Sequence, residues 1–149
     1  MTSLSLRQLF TDYAERHHLM GCLPDEDGAA WFDLGDGLNV MGVPDESGQT
    51  LDLRARVPLR GPLDNALART LLVRNLEAIL PGCVLFALES EEEYLRLSVS
   101  LNARHLTLTG LEEALARLAE ACQTLERELE WSPDETVENP DGAPFANMA

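Results

Sequence analysis

One segment of this chain is apolar on nearly every side. Residues 63–80 contain neither Gly nor Pro and are followed by Pro81-Gly82, so we predict a helix of about five turns. On a helical wheel its apolar side chains occupy two opposite sides and leave only a narrow polar sector. A helix of this kind is buried nearly all round. In a chain of 149 residues, one side can pack on the chain's own sheet, and the other side needs a second cover.

The nature of that second cover decides the quaternary structure. We predict a homodimer in which the same helix of a symmetry mate covers the outer side. The alternative is that the last helix or the loops of the same chain cover it. The residues that we assign to the dimer interface are Leu67, Ala68, Leu72, Asn75, Leu76 and Ile79.

The chain opens with a predicted amphipathic helix over residues 4–19. Its apolar positions Leu6, Phe10 and Tyr13 recur at three- and four-residue spacing, which places them on one stripe that must rest on another element.

Three strands are predicted next, because the apolar period changes from three or four residues to two. The alternation is clearest from Leu51 to Leu59 and is typical of a half-buried antiparallel strand. Turns rich in Gly, Asp and Pro separate the strands. The predicted strands cover residues 29–34, 38–43 and 51–59.

The second half of the chain adds two strands and a helix. Residues 83–88 are almost wholly apolar, so we assign them a central position in the sheet. Residues 95–101 alternate as a strand with one polar face. The last helix is predicted over residues 109–131, where Thr109 and Glu112 match a capping box.

The predicted order is therefore α-β-β-β-α-β-β-α, a single α+β domain over residues 1–131 with an antiparallel sheet. Residues 132–149 contain three Pro, four acidic residues and no basic residue. We predict that this segment is a disordered acidic tail.

The charge of the chain excludes several kinds of partner. Twenty-six acidic residues face eleven basic ones, for a net charge of -15, which repels phosphate backbones and anionic lipids. We therefore expect neither nucleic-acid binding nor membrane insertion. Three scattered cysteines, no recognisable signal peptide and no apolar run of about 20 residues favour a cytoplasmic protein.

No motif for catalysis, cofactor binding or metal binding is found in the sequence. His17 and His18 are adjacent, so they cannot form a metal pair one helical turn apart. The acidic residues 89–93 lack the spacing of a calcium loop and are interpreted as a solvated turn. We predict a protein without cofactor or metal that is not an enzyme. A hydrolase built on two carboxylates stays open, because no pair among the acids stands out.

Two adjacent segments resemble the class I type III secretion chaperones. In that family an L-L-x-x-N-L-like helix precedes a G-x-x-F-A-L-like strand, and here Leu71 to Leu76 reads LLVRNL and Gly82 to Leu88 reads GCVLFAL. The resemblance extends over residues 4–131 in element order, size and acidity. It implies a bacterial α/β sandwich that dimerises through the second helix, in agreement with the wheel.

The resemblance also implies a function. Such a chaperone binds the N-terminal segment of a secreted effector, keeps it soluble and competent for export, and can contact the ATPase of the export apparatus. Binding runs along the first helix and the first three strands, partly by strand addition at the sheet edge. An alternative is a dimeric adaptor that sequesters a regulator of secretion or transcription. The positions that match the binding surface, each of which can instead face the core, are Leu6, Phe10, Tyr13, Trp31, Phe32, Leu38, Val40 and Met41.

Overall fold

The chain is represented by a computed structural model, and its order of elements is the predicted one. The residues that the structure describes are 2–19, 26, 28–35, 37–59, 61–78, 83–89 and 93–130. The predicted tail at residues 132–149 lies outside them, and its disorder stays a prediction. The elements are α1 (Thr2–Arg16), β1 (Ala30–Asp33), β2 (Asn39–Pro44), β3 (Thr50–Pro58), α2 (Asn65–Glu77), β4 (Leu85–Leu88), β5 (Tyr94–Asn102), a 3-10 turn (Ala103–His105) and α3 (Leu108–Glu130).

The five strands form one antiparallel sheet in the order β1-β2-β3-β5-β4. The long strands β3 and β5 lie side by side, with a register that runs from Thr50 opposite Asn102 to Pro58 opposite Tyr94. Successive side chains of a strand point to opposite faces. Leu53 and Leu97 are therefore buried on one face, which we call the inner face, and Arg54 and Arg96 lie on the opposite, outer face.

The core lies between the inner face and the two helices α1 and α3. α3 contributes a buried seam at four- and three-residue spacing, and α1 contributes three buried side chains of its own. The ring of Phe10 meets that of Phe32 edge to face, with 5.6 Å between the ring centroids. The buried residues of the two helices are Leu6, Phe10, Tyr13, Leu111, Ala114, Leu115, Leu118, Cys122 and Leu125.

The predicted central position of residues 83–88 is wrong. β4 is the last strand of the sheet and pairs with β5 alone among the described strands. Leu85 and Leu88 remain exposed, so burial between two strands does not explain the apolar character of β4. The open side of this strand is instead contacted by α2.

The predicted cap of α3 is also wrong. The helix begins at Leu108, and the hydroxyl of Thr107 accepts a hydrogen bond from the Gly110 N–H at 3.0 Å, which is how an N-cap residue satisfies a free N–H. Thr109 lies in the first turn. Glu112 does not complete a capping box, because its carboxylate points to Arg16 and His17 of α1.

Candidate functional site

Three apolar side chains project from α2 into solvent. Leu72 is 63% exposed, Val73 is 52% exposed and Leu76 is 76% exposed. We call these three residues the α2 apolar face. Leu71, on the opposite side, is buried in the core. Within the described chain, therefore, α2 packs on its own domain along one side only, and neither α3 nor a loop covers the other.

The other residues assigned to the dimer interface occupy different positions. Leu67 and Ala68 are half-buried on α2. Asn75 is partly buried, and its side-chain amide is hydrogen-bonded within the chain to the backbone of Phe86. Ile79 lies outside the described residues. The homodimer itself stays a prediction.

Polar contacts fix the orientation of α2. The Arg74 guanidinium donates to both carboxylate oxygens of Glu128 in α3, at 3.1 and 2.7 Å. These hydrogen bonds raise the pKa of Arg74 above its usual value. A bidentate arginine–carboxylate pair of this kind fixes the relative orientation of its two side chains. Together with the buried Leu71 and with Asn75, it holds the α2 apolar face outward.

Exposed apolar surface is concentrated on α2 and β4. Six large hydrophobic side chains are exposed among the described residues, and five belong to these two elements. Leu85 and Leu88 supply the part from β4. Exposed apolar side chains that lie together, as in the α2 apolar face, mark protein contact sites, whereas single exposed ones are normal. The sixth residue, Trp31, lies at the other end of the sheet.

Most of the residues assigned to effector binding lie inside the chain. Tyr13 and Phe32 form an edge-to-face ring pair with centroids 5.2 Å apart, beside the Phe10 ring. A partner could reach these rings only if α1 left the sheet. The buried residues of this group are Leu6, Phe10, Tyr13, Phe32 and Val40.

Three residues of the same group remain accessible. Trp31 is 51% exposed, and Leu38 and Met41 are half-buried. Trp31 lies directly opposite Met41 across the β1–β2 pair, so the two side chains share the outer face. Among the residues assigned to effector binding, Trp31 and Met41 are accessible and lie next to each other.

β1 forms one edge of the sheet, and no described strand pairs with its outer side. The Leu34 N–H donates to the Leu38 carbonyl at 2.9 Å, which makes this a hydrogen-bonded pair. Such pairs alternate along an antiparallel ladder, so the backbone groups of Trp31 and Asp33 point away from β2. An open edge of this kind can accept an extended chain as a further strand.

A cluster of arginines on the outer face was missed by the sequence reasoning. Arg54, Arg56 and Arg96 occupy neighbouring positions of β3 and β5. The Arg56 side chain donates to Glu89 at 2.9 Å and stacks on the Tyr94 ring, 4.3 Å from its centroid. The hydrogen bonds from Arg56 hold the pKa of Glu89 below its usual value. The period-two pattern of β3 and β5 was the signal for this cluster, because it places these arginines on one face.

A second polar contact joins α1 to α3. Glu112 accepts from Arg16 at 3.2 Å, and the Nε2 atom of His17 lies 2.8 Å from its other carboxylate oxygen. His17 also stacks on Tyr13, with 4.3 Å between ring centroids. The contact with His17 and the nearby charge of Arg16 lower the pKa of Glu112.

This contact predicts a small stability effect that depends on pH. A carboxyl whose pKa is lower when folded stabilises the protein above its unfolded pKa, and that contribution is lost as the pH falls through the folded pKa. Glu112→Gln should lower the melting temperature by about 1–3 °C at pH 7, since exposed ion pairs contribute little. At pH 3 the difference between the two proteins should be smaller, because the contribution decreases as the carboxyl is protonated. Thermal scans at both pH values test this, with Glu113→Gln on the same helix as control; an equal effect at pH 3 would contradict it.

Reactive groups are sparse in the described part of the chain. No set of three or more His, Cys, Asp or Glu side chains there is arranged to hold a metal ion. Burial raises the pKa of the Cys122 thiol to about 12, which keeps it protonated and unreactive near neutral pH. None of the described helices has the length and apolar character needed to cross a bilayer.

Comparison with known proteins gives matches in structure but not in sequence. No family model matches the chain, and no curated protein matches it. The type III secretion chaperone SycH of Yersinia pestis, solved with a fragment of YscM2, matches with a TM-score of 0.68 and 22% identity, over 80% of this chain and 98% of the other.

Two further structures are similar. The ExsC–ExsE complex gives a TM-score of 0.75 at 23% identity, over 85% of this chain and 95% of the other. The HopA1–SchA chaperone–effector complex gives a TM-score of 0.72 at 16% identity, over 85% and 97%. These identities are too low to carry more than the fold. The chain therefore has the α+β fold of the class I type III secretion chaperones, as the resemblance of its sequence implied.

Proposed function

We propose that this chain is a non-enzymatic bacterial chaperone that acts in the cytoplasm as a homodimer. It binds the N-terminal segment of a type III secreted effector and keeps that segment soluble and competent for export. The observation that carries the proposal is the fold, which is shared over 98% of the length of a secretion chaperone and 97% of the length of a chain from a chaperone–effector complex.

The α2 apolar face supports the dimer. Leu72, Val73 and Leu76 together form a surface that a second copy of the same helix can cover in a two-fold arrangement. Burial of apolar area stabilises such a contact by about 25 cal/mol per Å². Pairing removes these apolar side chains from water and therefore lowers the free energy of the dimer relative to two separate protomers.

The β1 edge supports the binding of an extended segment. A chain added along β1 would gain main-chain hydrogen bonds at Trp31 and Asp33 and side-chain contacts with Trp31 and Met41. The bound segment stays extended, which suits passage through an export channel. We extend the proposal to a contact between the loaded dimer and the ATPase of the export apparatus.

Trp31 provides a test that separates binding from stability. Because its side chain is half in water, Trp31→Ala should change the free energy of unfolding by less than about 1 kcal/mol. It should weaken binding of an effector's N-terminal segment at least tenfold, since exposed aromatic residues often dominate interfaces. Calorimetric titration and thermal unfolding measure the two effects. Leu88→Ala is the matched control, as a truncated apolar side chain of similar exposure at the opposite edge; equal loss of affinity in both variants would contradict the proposal.

The proposed function is tested in the source bacterium. Affinity purification followed by mass spectrometry should recover a protein whose N-terminal segment is unstructured when alone, and deletion of the chaperone should reduce the solubility and export of that protein. Unchanged solubility and export after deletion would refute the function. A bound partner that is never exported would instead favour the regulatory adaptor.

A further inference from the structure

The two edge strands of the sheet, β1 and β4, differ in what contacts their outer sides. No described strand pairs with the outer side of β1, whereas β4 is contacted by the side chain of Asn75. The Asn75 Nδ2 atom donates to the Phe86 carbonyl at 2.7 Å, and its Oδ1 atom accepts from the Phe86 N–H at 2.8 Å. Donating to and accepting from one residue's backbone reproduces the pair of hydrogen bonds that a neighbouring antiparallel strand would make.

We propose that the Asn75 carboxamide acts as a substitute strand that closes the β4 edge, so that an extended chain can pair with this sheet only along β1. The closure stands on the contacts within this chain. Only its consequence for an effector segment rests on the proposed function.

The position of Phe86 makes a single carboxamide sufficient. Both backbone groups of Phe86 point to Asn75, so by the alternation of the ladder Leu85 and Ala87 bond to β5. In this strand of four residues, only Phe86 and Leu88 direct their backbone groups outward. A strand added along β4 would find both backbone groups of Phe86 already hydrogen-bonded to Asn75. It would therefore lose half of the hydrogen bonds that this edge can offer.

The side chains of β4 make closure necessary. Leu85 is 42% exposed and Leu88 is 43% exposed, and a short apolar strand with free backbone groups is a template for edge-to-edge association. The position of Asn75 is fixed by its neighbours on α2, because Arg74 pairs with Glu128 and Leu71 is buried. α2 thus carries the α2 apolar face for the proposed dimer contact. On the same turn it carries the Asn75 carboxamide, which blocks the pairing of a further strand with β4.

The decisive variant is Asn75→Leu, which is close in size and removes both hydrogen bonds. Amide hydrogen exchange on the full chain, without any partner, should show the Phe86 amide exchanging at least tenfold faster. The Ala87 amide, bonded to β5, should keep its protection. Light scattering should also detect assemblies that grow with concentration beyond the size of the wild type. Asn65→Leu, at an exposed position in the first turn of the same helix, is the matched control and should change neither measurement.

A second variant guards against simple loss of packing. Asn75→Asp keeps an acceptor for the Phe86 N–H and loses the donor to its carbonyl, so the Phe86 amide should remain protected. Unchanged Phe86 exchange in Asn75→Leu would overturn the proposal. Equal loss of protection at Phe86 and Ala87 in both variants would also overturn it, because the effect would then be general loosening. Since no effector is used, these outcomes leave the proposed function untouched, and failure to find an effector leaves the edge closure untouched.

Discussion

Replacing Leu72 with Asp should turn the protein into a folded monomer. Leu72 is 63% exposed in one protomer, so a carboxylate there meets water when the chain is alone and costs the fold little. In the proposed dimer the same carboxylate would be buried without a partner, which costs several kcal/mol. A penalty of about 3 kcal/mol raises the dimer dissociation constant about a hundredfold. Leu76→Asp should act in the same way.

The measurement is sedimentation equilibrium combined with circular dichroism. Thr70→Asp is the matched control, because it adds one carboxylate at an exposed position of α2 outside the apolar face, and it should leave the dimer intact. Dissociation of both variants to the same extent would point to general charge repulsion in a chain of net charge -15. Loss of helical signal in Leu72→Asp would mean that this side chain belongs to the core.

Replacing Phe10 with Ala should destabilise the protein severely. Phe10 is fully buried and packs edge to face on Phe32. Truncation of a buried Phe typically costs about 3–5 kcal/mol, the lost transfer free energy plus the cavity that remains. For a domain of this size, the melting temperature should fall by about 10 °C or more. Denaturant or thermal unfolding measures the loss.

The same variant decides between two roles for Phe10. The resemblance to the chaperone family implied a partner-binding role, whereas its burial implies a core role. Leu9→Ala, at the half-buried neighbouring position, should cost no more than about 1 kcal/mol. If Phe10→Ala kept the wild-type melting temperature and lost only effector binding, α1 would have to leave the sheet in solution.

Much of the fold follows from the sequence because its periods are clear. The alternation over residues 51–59 predicted β3, and its polar positions indeed lie on the outer face. The wheel of residues 63–80 predicted a helix with one side left over, and Leu72 and Leu76 are exposed as that reasoning requires. Such features can be derived from local sequence, since the side-chain period of a strand or helix determines which of its residues share a face.

Features that depend on long-range pairing could not be derived. A short apolar run such as residues 85–88 looks the same whether two strands flank it or one strand and a helix do, so the edge position of β4 was missed. The pairing of Asn75 with Phe86 joins two elements across a turn, and no local period reports it. Likewise, an amphipathic stripe on α1 does not tell whether Phe10 faces the sheet or a partner.

The proposed function depends on the pairing of two copies of this chain through α2. Sedimentation equilibrium of the unmodified protein at micromolar concentration measures this most directly. We expect a particle with twice the mass of the 16.4 kDa chain. A stable particle of 16.4 kDa over the whole concentration range would contradict it, because Leu72, Val73 and Leu76 would then face water in the working molecule.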